Sequence, residues 1–354
     1  MGNLILIQRY GFILLCLLVV LCNLPGLSGP FYSDDRSYLL NNPLITDLPF
    51  NQIWRLFTPI HHIDFLPIRD LTFYLEYQVF GAEPLIYKIN NLIIYLLSGF
   101  AVLLTSQALL KLFDYSDPQQ HTFIALLVSA FFLLHPTHVE SIAWISSRKD
   151  LLCALFTFLA LWQFCIALLN MEDMKRSAIN FVVAWLLFTA ALFSKSAALP
   201  LVGVLMLITF VRCQQQYPVA KSIWLTALIS LPYLILALLM VRLYSVIGVE
   251  NGIAVSADVL VGITVWDSFI TALQILGNLT QIALWPVDLR LHYSAQPSET
   301  VVILRIVLGA VITICAAISV WMIYKRRSLL AFAVLFFVLF SVGLVSGSVT
   351  DLNN

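Results

Sequence analysis

Apolar residues run along this chain in long unbroken blocks separated by short polar stretches, rather than recurring at the three-to-four-residue spacing of a helix with one wet face. Blocks near 11–27, 89–110, 122–135, 151–169, 178–194, 197–211, 223–241, 301–324 and 329–346 reach or approach the length a helix needs to cross a hydrocarbon layer of ~30 Å. Hydrocarbon offers the backbone no hydrogen-bond partners, so each block is expected to be helical. The first block exceeds the apolar core of a cleaved leader and no A-x-A site follows, so a signal anchor is expected. The stretch 267–286 differs. Its polar residues Asp267, Gln274, Asn278 and Gln281 fall on one helical face, which suits a helix lying at the interface or lining a cavity.

Composition sharpens this picture. Of 354 residues 61% are hydrophobic and 11% charged, against about 25% charged in soluble domains, so an all-α polytopic membrane protein is expected. Net charge is zero, which removes the basic face that a nucleic-acid partner requires. The six cysteines show no CxxC or Cys/His spacing and read as small buried residues. His61 and His62 are neighbours, which seldom converge on one ion, so no metal ligand set is assigned.

The few charges then set orientation, because Lys and Arg favour the cytoplasmic side. With the N-terminus inside, Arg9, Lys111, Lys175, Arg176, Arg212 and Lys221 share that side. Lys325, Arg326 and Arg327 join them only if 267–286 does not cross, giving nine spans and an outside C-terminus. A tenth span, with the tail inside, is the alternative. The expected organisation is one transmembrane domain over 1–354, with a first outer loop at 28–88 and a second outer loop region at 245–300. The first loop carries Asp34, Asp35, Arg69, Asp70 and Glu76 beside amphipathic "FNQIWRLF", and a loop of that length is expected to be structured and partly helical. The island "HPTHVESIAWISSRKDLL" at 135–152 and "SKSAALP" at 194–200 face the same side.

Within the island, Thr137 with Glu140 and Ser147 with Asp150 match the capping-box spacing, which predicts a short helix at about 138–146 and then the fourth span. Capping leaves His135, His138, Arg148 and Lys149 unexplained. Arg148 and Lys149 either snorkel to headgroups or hold a phosphate, and position alone does not choose.

The island, "FYSDDRSYLLNNPLI", "FLPIRDLTFYLEYQVFG", "PLIYKINNLIIYLL", "FSKSAALPL" and "LWPVDLRLHYS" occur in an order that resembles the C-type glycosyltransferase (GT-C) domain of the transmembrane O-mannosyltransferases that also carry tetratricopeptide repeats. The resemblance implies a GT-C-like bundle and an inverting transferase without a required cofactor. Such an enzyme moves a sugar from a polyprenyl-phosphate donor to an acceptor hydroxyl, for instance a protein Ser or Thr, outside the cytoplasm. It also implies that Asp34 or Asp35 is the base, and that Arg69, His135, His138, Arg148, Lys149 and Lys195 meet the donor phosphate. Membrane lipid would surround the spans. Where relatives read Y-H-x-x-N-x-x-x-H, this chain has Tyr87, Lys88, Asn91 and Tyr95, and the acidic residue after the "SK" lysine is Ser196. No 34-residue tetratricopeptide period occurs in the sequence. A catalytically silent scaffold of the same fold therefore stands as the alternative. A transporter fits less well, because its ionisable residues would line a path through the spans rather than cluster at one edge.

Overall fold

The computed structural model describes residues 2–59, 65–113, 118–250, 265–286 and 299–326. His61, His62, Arg327 and the expected span at 329–346 lie outside these residues, as do 251–264 and 287–298 of the expected second outer loop region. The chain divides into two compact units, Met1–Ser196 and Ala197–Asn354.

In the first unit the long helices are α1 (Gly2–Leu27), α4 (Pro84–Leu112), α5 (Pro118–Leu134), α7 (Arg148–Leu169) and α8 (Met174–Ser194). Between α1 and α4 the first loop folds into a π-helical turn at Arg36–Leu40, then α2 (Pro43–Thr46), a 3-10 helix at Phe50–Phe57 and α3 (Pro67–Phe80). This is the structured, partly helical loop expected from its sequence. Proline opens α2, α3 and α4, where its missing N–H costs nothing and its fixed φ suits the first turn. Gly81, at φ +62°, ends α3 in a conformation that a side chain disfavours. A short helix α6 (Val139–Ala143) follows a 3-10 turn at Pro136–His138, and the segment Pro136–Ala143 bends 49° away from α5. The break comes at Pro136, which has no N–H to continue the ladder of α5.

Helix α4 forms the spine of this unit, with α5 and α7 packed against it. Against α5 the approach is close: Ser129 Oγ donates to the Gly99 carbonyl at 2.8 Å, and a Cβ on Gly99 would lie 2.5 Å from side-chain carbons of Leu133. Towards α7, Thr105 Oγ1 donates to the Phe158 carbonyl at 2.8 Å. Such small and hydroxylated residues let helix backbones approach where apolar burial gives no net drive between helices.

The second unit holds α9 (Leu201–Gln214), α10 (Val219–Glu250), α11 (Val265–Leu284) and α12 (Glu299–Arg326). Seven helical segments in the described residues are long and apolar enough to cross a membrane, and the bent α5–α6 pair makes up to eight. The protein is thus an all-α, multi-pass membrane protein. The stretch expected at an interface is α11, whose apolar part, Phe269–Leu284, is too short to stand among those seven. It runs antiparallel along α12. Gly277 lies opposite Arg305 and Gly309 opposite Leu273, and added Cβ atoms would fall 1.8 and 2.0 Å from the facing carbonyl oxygens. Its polar face is turned partly to this partner, since Arg305 Nε donates to Gln281 Oε1 at 3.3 Å. Gly277→Leu is therefore expected to force the two helices apart at a cost of about 1–3 kcal/mol or more. A lower thermal midpoint of the detergent-solubilised chain would register this, and an unchanged midpoint would rule the contact out.

Candidate functional site

The site begins at a tight turn just after α1. Asp35 N–H donates to the Tyr32 carbonyl at 3.0 Å, and Asp35 Oδ2 accepts from Tyr32 N–H at 2.9 Å, so the turn Tyr32–Asp35 is closed from both sides. Ser33 within it takes φ +47°, and it is the one described non-glycine residue at positive φ. A residue held there needs surrounding bonds to keep it, and these two supply them. The two acidic residues then part ways. Asp35 is 1% exposed, and its Oδ1 accepts from Ser146 N–H at 2.7 Å and Ser146 Oγ at 2.6 Å. Asp34 is exposed, with Ser33 Oγ donating to its Oδ1 at 3.2 Å. Thus Asp35 fastens the turn to the island, and Asp34 is the carboxylate left facing outward.

A second fastening lies deeper, at the start of α7. Arg148 has no exposed surface. Its Nε donates to Asn91 Oδ1 at 2.7 Å, Nη2 to the Tyr87 carbonyl at 2.8 Å, and Nη1 to Thr72 Oγ1 at 3.4 Å and to the Glu76 carboxylate. The guanidinium also lies 4.7 Å from the centre of the Phe73 ring. Burial pushes the Glu76 carboxyl above its ordinary range, and Arg148 pulls it down without cancelling that effect. Asn91 completes the junction, its Nδ2 lying 3.4 Å from the carbonyls of Ser141, Ile142 and Trp144 at the end of α6. All three Arg148 nitrogens are committed to protein, so the geometry makes Arg148 a clamp between α3, α4 and α7 rather than a phosphate ligand.

Around Tyr38 the cations are arranged differently. The Arg69 guanidinium lies 4.3 Å from the ring centre and Lys149 Nζ 5.5 Å. Arg69 is 1% exposed and held by Asp70, with Nε and Nη2 at 2.9 and 2.8 Å from Oδ1. Lys149 is half-buried. One residue further along α7, Asp150 Oδ1 accepts from Lys195 Nζ at 2.5 Å, a partly exposed pair that brings the end of α8 to the start of α7. Lys149 and Lys195 are therefore the two predicted phosphate-site cations that combine partial exposure with a place at the N-terminal end of α7.

His135 and His138 occupy another cluster, at the bend between α5 and α6. His138 Nδ1 lies 2.9 Å from the Phe132 carbonyl and 3.0 Å from Tyr95 Oη, and Tyr95 Oη itself donates to that carbonyl at 2.8 Å. The His138 ring centre is 4.8 Å from that of Phe132 and 5.8 Å from that of His135. Tyr95 thus serves the packing of this bend. Lys88 is likewise built in. It is 5% exposed, with Nζ 3.3 and 3.5 Å from the carbonyls of Gly29 and Ser28, just past the end of α1, where the helix dipole favours a cation.

The two capping boxes expected in the island are not formed. Thr137 sits inside the 3-10 turn, its Oγ1 2.7 Å from His135 Nδ1, and the N-cap of α6 is His138, with no side-chain cap bond. Glu140 falls in the first turn of α6. Ser147 does occupy the N-cap of α7, but no side chain caps it, and Asp150 binds Lys195 instead. A charged partner brought in by the fold outcompetes a neutral N–H three residues away.

Residues that local sequence patterns did not mark out complete the arrangement: Ser146 as the anchor of Asp35, Tyr38 between two cations, and Glu76 and Asn91 around Arg148. Two of these carried a signal: Glu76 as one of the first loop's carboxylates, and Asn91 as a position that, with Tyr87, matches the motif whose two histidines are absent here. Among the described residues no group of three or more His, Cys, Asp or Glu side chains is placed to hold a metal ion.

No protein-family profile matches the chain, and no solved structure matches it significantly. It is similar to Protein O-mannosyl-transferase TMTC4 of Homo sapiens, 27% identical over 202 residues, which is 52% of this chain and 27% of that protein. A protein O-mannosyl-transferase of Caenorhabditis elegans is 28% identical over 158 residues, covering 42% of this chain and 22% of its own length. Tmtc1 of Drosophila melanogaster, also named a protein O-mannosyl-transferase, is 29% identical over 156 residues, 41% of this chain and 17% of that protein. The matches thus span about a quarter or less of these relatives' length.

Proposed function

We propose that the chain is a membrane glycosyltransferase that moves a sugar, mannose by analogy with the relatives' names, from a polyprenyl-phosphate donor to an acceptor hydroxyl on the extracytoplasmic face. The observation that carries this reading is the division of labour in the acidic pair: Asp35 is consumed by Ser146, and Asp34 is held outward on a strained, doubly bonded turn. In the reaction Asp34 accepts the proton of the acceptor hydroxyl as its oxygen attacks the anomeric carbon. The bond from that carbon to the phosphate oxygen breaks, and the polyprenyl phosphate leaves with the electron pair. A single displacement of this kind inverts the anomeric centre.

Negative charge grows on the leaving phosphate, and Lys149 and Lys195 are the cations best disposed to meet it, with Arg69 and Tyr38 shaping the wall behind them. The lost histidines count less against activity than they do in sequence, since Lys88 and Tyr95 are absorbed into packing.

Purified chain in lipid nanodiscs, given polyprenyl-phosphate-linked mannose and a Ser/Thr-rich peptide, is expected to glycosylate the peptide. Lys149→Ala and Lys195→Ala each remove one charge-assisted bond to the donor, worth roughly 1.5–3 kcal/mol, so the KM for donor should rise about ten-fold or more. Absence of transfer from any polyprenyl-phosphate sugar would leave the silent-scaffold reading standing instead.

A further inference from the structure

The 3-10 helix Phe50–Phe57 has apolar side chains on two sides, and only one of them is used within the protein. In a 3-10 helix residues three apart eclipse each other. Ile53 and Leu56 form one such stripe, packed against the core that folds the first loop, with Leu56 fully buried. Trp54 and Phe57 form the neighbouring stripe and are 61% and 42% exposed, and Phe50 at the helix start is 74% exposed. Phe50 is eclipsed with Ile53 rather than with Trp54, so the unused face is that of Trp54 and Phe57, with Phe50 exposed beside it at the helix start, and such apolar surface is not favoured by water.

What covers this face is indicated by where it sits. Leu56 belongs to the same packed cluster as Tyr87, which lies in the first turn of α4, a helix long enough to span. The helix is therefore anchored, through Leu56, in one packed cluster with the first turn of a span-length helix. Val79 and Phe80, at the end of α3 and a few residues before α4 begins, are exposed as well. The helix contains no acidic residue, and its single charge is Arg55, whose Nη1 donates to Gln52 Oε1 at 3.1 Å on the helix itself. Aromatic side chains beside one arginine match the boundary between lipid headgroups and acyl chains, where Trp is enriched and cations meet phosphate.

We propose that the Phe50–Phe57 helix docks on the headgroup boundary of the membrane that the chain itself crosses, with Trp54 and Phe57 entering the acyl layer by about 5–10 Å. Because Leu56 ties the helix to the loop core, this contact fixes the height of the Tyr32–Asp35 turn above the bilayer. The proposal does not depend on sugar transfer and its test does not measure it.

The full chain is reconstituted in nanodiscs of phosphatidylcholine with a minority of phosphatidylglycerol, and the emission of Trp54 is taken as the difference between wild type and Trp54→Phe. Lipids brominated near the headgroup end of the acyl chain are expected to quench it roughly two-fold or more, and aqueous iodide to do far less. Quenching by iodide alone would place the helix in water. Protection from both quenchers would mean that protein covers it, and either result overturns the proposal. A nitroxide on Phe57→Cys, in a chain also carrying Cys22→Ser, repeats the test through its accessibility to oxygen against a water-soluble nickel complex. The question is thus settled even if the Trp54 variant misfolds.

Discussion

Arg148→Met is expected to destabilise the first unit by about 3–5 kcal/mol, the cost of breaking a buried ion pair from one side. Methionine fills much of the guanidinium's volume and keeps the contact with Phe73, so the loss is electrostatic and hydrogen-bonding rather than a cavity. Glu76 would be left half-buried without its cation, Asn91 Oδ1 and the Tyr87 carbonyl without their donor. Burial already raises the Glu76 carboxyl above its ordinary range, and without Arg148 to oppose that it should hold its proton more tightly still. The companion variant is Arg148→Met with Glu76→Leu, which removes both charges. Replacing a whole buried pair by apolar side chains is often neutral or better, so the double variant should recover most of the loss. Thermal or denaturant unfolding of the four proteins of this cycle measures the coupling. If Arg148→Met unfolds like wild type, the clamp does not hold the unit together. If Arg148→Met instead keeps its stability but loses donor affinity, Arg148 belongs with the phosphate after all.

Seven of the nine expected blocks stand as span-length helices in the described residues, and they were legible because crossing length is written in block length, which needs no partner to be read. The short helix expected at about 138–146 is present as α6, Val139–Ala143, ahead of α7, although the capping bonds it was read from are not the ones that form. What escaped was every interaction whose partner is distant. The S-x-x-D pattern at Ser147 and Asp150 is a sound local signal, yet Lys195, 45 residues on, captures Asp150. Asp35 gave no sign of its role because Ser146 stands 111 residues away. The resemblance put Arg148 at the donor phosphate together with Lys149, but successive helical residues point about 100° apart. One of the pair therefore turns into the α3–α4 junction and the other towards Tyr38. The first-loop core joins Leu39, Ile45 and Leu56 to Ile145, across a separation that no window of sequence covers.

Asp34→Asn should lower the rate of sugar transfer by about 100- to 10,000-fold, the range that a positioned general base contributes. The substitution preserves size and leaves an amide oxygen for Ser33 Oγ, and Asp34 is exposed, so the unfolding midpoint should stay within experimental scatter of wild type. Donor KM should also hold, because the base acts on the acceptor. Asp35→Asn is the necessary contrast. Its carboxylate accepts three bonds, from Tyr32 N–H, Ser146 N–H and Ser146 Oγ, and one amide oxygen cannot replace both carboxylate oxygens. An amide NH₂ would face a donor, at a cost of roughly 1–3 kcal/mol, so Asp35→Asn should lose stability together with activity. The two variants therefore separate chemistry from positioning: one is folded and slow, the other loosened and slow. Equal transfer by wild type and Asp34→Asn would remove Asp34 from the mechanism. A stable Asp35→Asn with the larger kinetic defect would move the base to the neighbouring carboxylate, and the bonds to Ser146 would then have to open during turnover.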